Sequence, residues 1–529
     1  MGHLIEIFKS VSSQLVAYGL GRSQSKVTIS TAIALVTFYM IYRSTQPPAR
    51  LRHIPHVSFF TYLGAFVRGK SLNYVAKNII MPVAMKSENG VYIRFDQNGW
   101  SMHITRPEAA KTFLLKTADV FPKAEIGNER GDTLLGKLAF RRNILTLNGA
   151  GWKAHRKIAN PAFHRSMPIE LFGTLCQKSL TKMMDELDDD GNIDFYNIAE
   201  RFTLDAIGLA GFGFDFHAID DPQTEWVTRY SRIATETLNP WFSIFYNLDQ
   251  KYRFLFPKRV EIHREMDIML NMIEEIIVHK RQTFDDQETN IKESERDLLT
   301  LMMEAEKSGE GTMTNDELRN NLCVFFFAGH DTTANALSYQ TYYLAANPDI
   351  QSKAREEVLR VMGDAPQDVL PTLEQTRELP YLNMVIKEAL RMSPPAANVV
   401  TRVTCEDTEL AGTFIPKGTR GTVDIYNLHH NPTVWKDPET FRPERFELGG
   451  EAEKLAGLGM SWLPFSNGQR QCIGMNFSLA EQRVFLPMLL RKYEWHLPKD
   501  SIHKDGVHRA GLTGLNKPKD LLISFRKRY

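Results

Sequence analysis

Apolar side chains recur three or four positions apart, the spacing of one helix face, through most of the chain between residues 108 and 391. Strand-like stretches are short and lie at 91–95 (VYIRF) and 419–426 (TRGTVDIY). Residues 281–298 are rich in charge and predict a solvated loop. The pattern therefore predicts a mainly α-helical body with a small β component.

One helix in the middle of the chain has a clear start and stop. Thr314 and Glu317 form the capping-box pattern, in which each side chain bonds the backbone N–H of the other residue. The residues that follow suit a helix as far as Asn347, and Pro348 ends or restarts it. At about 1.5 Å per residue this helix is about 50 Å long, enough to run through a large domain.

Residues 27–42 (VTISTAIALVTFYMIY) are uncharged and mostly apolar, and cations flank them. As a helix they span about 24 Å, less than a hydrocarbon core of about 30 Å, and snorkelling of the flanking cations can cover the difference. We predict a membrane anchor at 27–42 within an N-terminal segment, 1–45; a buried helix and a signal-peptide core are the alternatives. Three prolines predict a stiff neck over 46–56, which leaves 57–529 as the main domain.

Composition narrows the classes of function. The 529 residues are 43% hydrophobic and 24% charged, which excludes a disordered, collagen-like or polytopic membrane protein. Lys and Arg total 64 against 63 Asp and Glu, and a net charge of +1 argues against a nucleic-acid partner. The 4 cysteines form no C-x-x-C pair, so neither a disulfide scaffold nor a structural zinc site is expected.

Residues 64–71 (GAFVRGKS) match the phosphate-loop pattern G-x-x-x-x-G-K-[ST]. A working phosphate loop joins a strand to a helix, so that backbone N–H groups cradle the phosphates. Its interior here holds Phe66 and Val67, unlike a flexible cradle, and no alternating strand and helix pattern follows. We therefore expect a surface turn, with nucleotide binding as the alternative.

The strongest chemical signal is FSNGQRQCIG at 465–474. Its glycines let the backbone turn sharply and approach a flat group closely, and the helix predicted after Gly474 directs its positive dipole end at Cys472. Arg470, two residues before the thiol, can pair with an anionic group and favour the thiolate. A structural cysteine in a turn is the alternative. The segment resembles the haem-ligand signature FxxGxRxCxG of cytochrome P-450 monooxygenases, in which Phe465 and Gly474 are also fixed.

This resemblance implies that Cys472 is the axial thiolate ligand of haem iron, with Phe465 and Gly474 in the cofactor-binding loop and Arg470 on a haem propionate. Trp152 and Arg156 are similar to the WxxxR element of that family, which implies two further propionate contacts.

Arg402 lies where the family usually has another propionate-binding arginine. AGHDTT at 328–333 resembles the AGxDTT element of the central helix. The resemblance implies that Asp331 helps to deliver protons and that Thr332 steadies dioxygen. His330 occupies the variable position of this element and is interpreted as structural.

Glu388 and Arg391 resemble the ExxR element, and Arg445 belongs to a PERF element. The resemblance implies that these three residues form a buried network that locks the core on the cysteine side. Lys153 and Lys157, on the helix that carries WxxxR, are expected to face an acidic redox partner. All the elements occur in the order of the family.

The resemblance implies a cytochrome P-450 fold with a long central helix and haem as cofactor, preceded by the membrane anchor. It implies a monooxygenase that transfers one oxygen atom from O2 to a C–H bond of a lipophilic small molecule. A steroid is favoured, because the sequence is similar to filamentous-fungal members. A fatty-acid, terpenoid or xenobiotic hydroxylase is the alternative, and a non-catalytic haem-binding protein is a remote one.

The anchor resembles that of microsomal members. This likeness implies NADPH–cytochrome P-450 reductase as the electron donor and a single-pass location in the endoplasmic reticulum membrane, with the catalytic domain cytosolic. The segments expected to line the substrate pocket are 121–147, 238–256 and 396–400.

Overall fold

The computed structural model describes residues 22–96, 99–116, 120–164, 167–237, 239–287, 296–309, 311–510 and 515–529. Helices make up most of these residues, as the apolar spacing predicts. The α-helices, in chain order, are α1 Arg22–Ser44, α2 Phe59–Val67, α3 Leu72–Val75, α4 Met81–Ala84, α5 Pro107–Leu115, α6 Ile126–Arg130, α7 Gly149–His164, α8 Ile169–Asp185, α9 Phe195–Ile207, α10 Glu225–Thr237, α11 Pro240–Ile244, α12 Tyr246–Gln250, α13 Pro257–Gln287, α14 Leu298–Lys307, α15 Asn315–Ala346, α16 Pro348–Met362, α17 Leu373–Arg377, α18 Pro380–Met392, α19 Ile425–His429, α20 Glu451–Ala456 and α21 Met475–Lys492.

Short helical turns of other types join these helices. The π-helical turns are Ala76–Ile80, Gly136–Phe140 and Gly208–Phe212, and the 3-10 turns are Ala49–Leu51, Arg253–Leu255, Pro443–Phe446 and Gly468–Arg470.

The β strands form small sheets. The strands are β1 Val91–Asp96, β2 Gly99–Ile104, β3 Asn192–Asp194, β4 Arg402–Val403, β5 Thr408–Leu410, β6 Thr413–Ile415, β7 Arg420–Val423, β8 Tyr493–His496, β9 Arg509–Ala510, β10 Lys517–Pro518 and β11 Leu522–Lys527. One sheet has the order β1-β2-β7-β4, with β2 and β7 parallel and the other neighbours antiparallel. The other sheets have the orders β3-β11-β8, β10-β9 and β5-β6. The strand predicted at 91–95 is confirmed as β1.

The long central helix is α15, and its predicted ends are confirmed. The Thr314 side chain caps its first turn within a reciprocal capping box with Glu317, and α16 starts at Pro348, two residues after α15 ends. The largest apolar cluster surrounds α15 and includes the fully buried Phe202, Leu337 and Phe485. This cluster holds α9, α15 and α21 together and so fixes the two elements that carry the central-helix motif and the cysteine loop.

The strand predicted at 419–426 is shorter than expected. It ends at Val423 as β7, because the Asp424 side chain accepts a hydrogen bond from the Asn427 backbone N–H at 3.1 Å and caps α19. The solvated loop predicted at 281–298 is wrong over its first residues, since α13 continues to Gln287. At the other end Asp297 caps α14 by accepting from the Thr300 N–H at 2.8 Å. Charge at 281–287 therefore marks a polar stretch of helix.

The phosphate-loop pattern at 64–71 lies in a different setting from a phosphate loop. Residues 59–67, where a strand would be needed, form helix α2. The chain then turns at Gly69, whose φ is +62°, and the Ser71 hydroxyl caps α3 by accepting from the Tyr74 N–H at 3.2 Å. The expected turn is thus confined to 68–71, and the strand–loop–helix arrangement of a phosphate site is not formed by these residues.

The segment predicted as a membrane anchor, 27–42, lies within helix α1, Arg22–Ser44. Among the described residues, no helix is both long enough and apolar enough to cross a membrane. The membrane anchor, the neck and the domain limits stay predictions.

Candidate active site

The predicted cysteine loop lies between the buried Leu463 and the start of α21. The Cys472 N–H donates to the Phe465 carbonyl at 2.9 Å, which closes the loop, and α21 begins three residues after Cys472. Gly468 has a φ of +72°, and a Cβ there would lie 3.1 Å from the Leu114 carbonyl oxygen, so glycine is needed at this position. The loop presents the Cys472 side chain to a cavity rather than to the core.

This cavity of about 270 Å³ is lined by most of the residues that are predicted to hold haem and by apolar side chains. Trp152, Arg156, Thr332, Phe465, Arg470, Cys472 and Gly474 all line it. Residues 144–145 and 396 with 398–400 also contribute, in agreement with two of the three predicted pocket segments. The cavity therefore joins parts of the chain that are more than 300 residues apart.

The third predicted pocket segment, 238–256, is wrong. Trp241 is 63% exposed and Phe254 is 69% exposed, and none of the described residues of this segment lines the cavity. Four of its aromatic residues, Trp241, Phe245, Tyr252 and Phe254, are exposed at the surface. The cavity instead gains an aromatic wall from Phe325 of α15, which packs edge-on against Phe163 at 5.1 Å between ring centroids.

Several cations converge on one side of the cavity. Arg470 lies over the Trp152 ring, 4.4 Å from its centroid, and donates to the Leu147 carbonyl and to Asn148 Oδ1. Arg156 donates to the Gln471 carbonyl at 3.2 Å. Burial, followed by the nearby Arg156 charge, lowers the pKa of Arg470 to about 10.

Arg402 is buried in β4 beside this group. One nitrogen, Nη1, donates to the Phe113 carbonyl at 3.1 Å, but Nε and Nη2 have no hydrogen-bond partner among the residues that the structure describes. Burial and the Arg470 charge lower the pKa of Arg402 to about 10. Arg402 is not among the described residues that line the cavity. A buried guanidinium with two unpaired donors is costly unless an anion binds there.

Lys123 completes the cationic group, and its role was missed at the sequence level. It lines the cavity, donates to the Val400 carbonyl at 3.4 Å and has a pKa well below the usual range because of burial and the charges of Arg402 and Arg470. Within the described residues, no carboxylate forms an ion pair with Lys123, Arg402 or Arg470. The signal that could have found Lys123 is a lysine among apolar residues, FPKA at 121–124.

Opposing effects act on the pKa of the Cys472 thiol. Burial raises the pKa of Cys472, whereas the hydrogen bond from the Gly474 N–H and the Arg156 charge act to lower it. The neighbouring Arg470, which sequence reasoning linked to the thiolate, is held by backbone carbonyls of 144–147 instead.

The central-helix motif contributes two residues that face different surroundings. Thr332 lines the cavity, and its hydroxyl donates to the Ala328 carbonyl of the preceding turn at 2.7 Å. Asp331 is buried away from the cavity and accepts hydrogen bonds from Tyr230 at 2.6 Å and Tyr196 at 3.4 Å. Gly329 lines the cavity too, but a Cβ there would lie 3.2 Å from Ile207, so its small size also lets α9 pack closely.

Glu388, Arg391 and Arg445 form a fully buried cluster, as predicted. Arg391 donates from Nε and Nη2 to the Glu388 carboxylate at 2.7 and 2.9 Å, and Arg445 Nε donates to it at 3.2 Å. The cluster continues to the cysteine loop through His429, which sequence reasoning missed. His429 Nδ1 donates to the Arg391 carbonyl at 3.1 Å, and Nε2 accepts from the Leu463 N–H at 2.9 Å.

A family model described as Cytochrome P450 matches residues 83–523, most of the chain and all of the residues above. The chain belongs to the cytochrome P-450 family. The family confirms the predicted enzyme class, a monooxygenase with haem as cofactor that uses O2, a substrate and a redox partner.

Curated relatives agree with this assignment. Mouse cytochrome P-450 4A10 is 32% identical over 368 residues, which are 66% of this chain and 69% of the relative. Human cytochrome P-450 4F12 is 29% identical over 406 residues, covering 74% and 75% of the two chains. Dog cytochrome P-450 3A12 is 27% identical over 508 residues, covering 92% and 94%.

A solved structure confirms the predicted fold. The crystal structure of a cytochrome P-450 haem domain has a TM-score of 0.72 to this chain and 21% sequence identity, and the match covers 90% of this chain and 98% of that one. The cytochrome P-450 fold with its long central helix is therefore established for this chain.

The cavity of this cytochrome P-450 fits haem. A thiol faces an apolar space next to four cations, and two donor nitrogens of the buried Arg402 find no partner in the described part of the chain. Haem carries two propionate carboxylates, which are the anions that such donors require. Apolar side chains from α15 and from 396–400 suit the flat macrocycle and the space beside it.

Proposed function

We propose that this chain hydroxylates a lipophilic small molecule, with Cys472 as the axial ligand of haem iron. The observation that carries the proposal is that one cavity brings together the Cys472 thiol, a cationic wall with which no described carboxylate pairs, and the Thr332 hydroxyl. Bound haem supplies the activation of O2 with two electrons and two protons, so that one oxygen atom enters a substrate C–H bond and the other leaves as water.

Residues around the thiol tune its charge. Burial alone would favour the neutral thiol. The hydrogen bond from the Gly474 N–H and the charge of the Arg156 guanidinium favour the thiolate instead. The Phe465 carbonyl fixes the loop through the Cys472 N–H. Trp152, Arg156, Arg402 and Arg470 are proposed to hold the propionates.

Thr332 and Asp331 are proposed to serve the proton chemistry. The Thr332 hydrogen is engaged by the Ala328 carbonyl, so the hydroxyl presents a lone pair towards the cavity and can accept a hydrogen bond there. Asp331, the residue before Thr332 on the helix, accepts hydrogen bonds from buried hydroxyls behind it and is proposed to supply the proton. In this proposal Thr332 holds a proton at the cavity and Asp331 supplies it.

The substrate is proposed to be lipophilic, with a steroid favoured. Support comes from the apolar wall that Val324, Phe325, Val399 and Ile425 form in the cavity. Titration of the haem-loaded enzyme with testosterone, lauric acid, a terpenoid and an aromatic drug tests this. A shift of the haem absorption that is tightest for testosterone supports the steroid; a tighter shift with one of the others assigns the corresponding alternative class.

Electrons are proposed to come from NADPH–cytochrome P-450 reductase. Support comes from Lys153 and Lys157, which are exposed on α7, the helix whose Trp152 and Arg156 line the cavity. Charge reversal of both lysines should raise the reductase concentration needed for half-maximal NADPH oxidation about tenfold at low salt, and less at high salt. An unchanged reductase dependence would contradict this docking surface.

A membrane location, in the endoplasmic reticulum and with the catalytic domain cytosolic, is proposed as well. Leu35, Phe38 and Tyr39 of α1 are between 61% and 65% exposed, and the outward-facing aromatic residues of 241–254 add a second apolar surface. Exposed groups of large apolar side chains are typical of surfaces that bind a membrane or another protein.

The absorption spectrum of the reduced enzyme with carbon monoxide tests the haem ligand. We expect a strongly red-shifted Soret band that Cys472→Ser abolishes, while Cys405→Ser, at an exposed cysteine outside the cavity, keeps it. A band that survives Cys472→Ser would remove the assignment of the ligand. Haem binding with a normal band but without NADPH-dependent product from any substrate class would favour the non-catalytic alternative.

A further inference from the structure

The carboxyl group of Asp331 belongs to a buried polar cluster that leads away from the cavity. Tyr196 lies between two carboxyl groups, with its hydroxyl 3.4 Å from Asp331 Oδ1 and 3.0 Å from Glu200 Oε1. Tyr196 is 3% exposed and Asp331 is 6% exposed. Glu200 is only partly buried, and the exposed Lys517 of β10 lies 3.6 Å from the centroid of the Tyr196 ring. The cluster therefore connects the central helix with the protein surface.

A phenol between two carboxyl groups can satisfy both only if one of them carries a proton. The Tyr196 hydroxyl has a single hydrogen, so it donates to one carboxylate and accepts from the other group when that group is protonated. Burial raises the pKa of Glu200, an effect that the Lys517 charge opposes and the Asp331 charge reinforces. Glu200 therefore keeps its proton to a higher pH than an ordinary surface glutamate does.

We propose that Glu200 and Tyr196 form the route by which protons from solvent reach Asp331. In one transfer, Glu200 gives its proton to the Tyr196 oxygen while the Tyr196 hydrogen passes to Asp331 Oδ1. Solvent then reprotonates Glu200, so that one proton moves inward and the phenol ends in its original state. The two residues act through Asp331 and do not touch the cavity. This inference rests on the proposed role of Asp331.

Among the described residues, the other groups that face Asp331 do not form a second proton route to the protein surface. Tyr230 of α10 donates to Asp331 Oδ2 at 2.6 Å, but its ring is packed between Phe326 and His330 at 4.9 and 4.7 Å between centroids. His330 Nδ1 donates to the Phe326 carbonyl at 2.6 Å, and Nε2 lies 3.4 Å from Asp331 Oδ1 in a fully buried position. Tyr230 therefore bonds Asp331 without connecting it to solvent, and it provides a matched control.

The test compares Tyr196→Phe with Tyr230→Phe in the haem-loaded full chain. Each change removes one hydroxyl bonded to the same carboxylate. NADPH oxidation supported by the separate reductase needs no identified substrate and still consumes protons. We expect Tyr196→Phe to slow it about tenfold and to enlarge the ratio of rates in H2O and D2O, because the route is cut. Tyr230→Phe should stay within about twofold of the unmodified enzyme.

Glu200→Gln gives an independent readout, since glutamine keeps the bond to Tyr196 but cannot supply a proton. The rate of the unmodified enzyme should fall as pH rises through the pKa of Glu200, and this alkaline decline should be absent from Glu200→Gln, whose rate is low throughout. Infrared titration of the resting enzyme should find a protonated carboxyl band that Glu200→Gln removes. Lys517→Met should move the midpoint of that band, and of the decline in rate, to higher pH.

Equal effects of Tyr196→Phe and Tyr230→Phe, or an alkaline decline that survives Glu200→Gln, would overturn the route. If Tyr196→Phe fails to load haem, the Glu200→Gln comparison decides alone. The failures of the two proposals are distinguishable. An enzyme without the thiolate–haem absorption band loses the proposed function, whereas one that has the band but treats both tyrosines alike loses only the proton route.

Discussion

At the scale of single residues, the site is defined by buried charge that the chain does not neutralise. Arg402, Arg470 and Lys123 each have a lowered pKa, and burial is the first cause in every case. A protein pays for such charges in stability unless a ligand brings the counter-ion. The arrangement is therefore better explained by an anionic cofactor than by the stability of the polypeptide.

Arg402 gives the sharpest test at this scale. Arg402→Met removes two donor nitrogens that no described residue satisfies and that a bound anion can, and charged hydrogen bonds contribute about 1.5–3 kcal/mol each. We expect haem to transfer to an excess of a haem-scavenging globin at least tenfold faster than from the unmodified enzyme. Arg420→Met, on the neighbouring strand and paired with Glu129 near the surface, is the control and should lose haem at the normal rate. Equal rates for both variants would contradict a propionate-binding role for Arg402.

Sequence patterns found the residues whose chemistry is local and missed those whose partners are distant. Cys472, Arg470, Trp152 and Arg156 belong to short motifs with fixed spacing, and all four line one cavity. Lys123 was missed because its backbone partner, Val400, is 277 positions away. His429 was missed because its partner is also distant in sequence. Its Nε2 accepts a hydrogen bond from the N–H of Leu463, which lies just before the cysteine loop and 34 positions away. Such partners become visible only when the chain is folded.

At the scale of secondary-structure elements, a buried ionic cluster joins α18 to the turn Pro443–Phe446 and to the segment before the cysteine loop. Glu388 accepts from Arg391, from Arg445 and from the Arg442 N–H at 2.9 Å. Arg391 also donates to the His429 carbonyl at 2.8 Å. One carboxylate therefore holds three parts of the chain in register.

Glu388→Gln should destabilise the protein strongly. It leaves the fully buried Arg391 guanidinium without its counter-charge and leaves Arg445 with Glu451 alone, and breaking a buried pair on one side costs about 3–5 kcal/mol. The measurement is the free energy of unfolding in urea of the haem-loaded enzyme. Glu444→Gln is the control, because its pair with Lys353 is exposed and should contribute less than about 1 kcal/mol. A loss of similar size in both variants would contradict the locking role of Glu388.

Helix ends with a capping signal could be predicted, while elements decided by tertiary packing could not. The capping box at Thr314 located the start of α15 correctly. The charged run at 281–287 was mistaken for loop, because charge is compatible with a solvated helix face as well as with a loop. The segment 238–256 was expected to line the pocket, yet its aromatic residues Trp241 and Phe254 point outwards. Aromatic side chains serve pockets and exposed binding surfaces equally well, and only the fold distinguishes them.

At the scale of the whole molecule, two of the described segments that carry exposed apolar side chains are candidates for membrane contact. One is α1, with Leu35, Phe38 and Tyr39, and the other is the 241–254 segment, with Trp241 and Phe254. If both segments enter the interfacial region of a bilayer, their apolar area contributes additively at about 25 cal/mol per Å². The proposed membrane location then depends on the two segments together.

This dependence leads to a prediction for binding to phosphatidylcholine vesicles by flotation. Leu35→Glu with Phe38→Glu in the full chain should weaken binding about tenfold or more, and Trp241→Ser with Phe254→Ser should do so to a similar degree. All four changes together should abolish binding, since the free energies of two independent contacts add. Leu448→Ser is the control, because Leu448 is 96% exposed but lies outside both segments. Binding that survives the fourfold change would contradict attachment through these segments. An equal loss with Leu448→Ser would mean that any exposed apolar residue contributes, and that the two segments are not a specific membrane-binding surface.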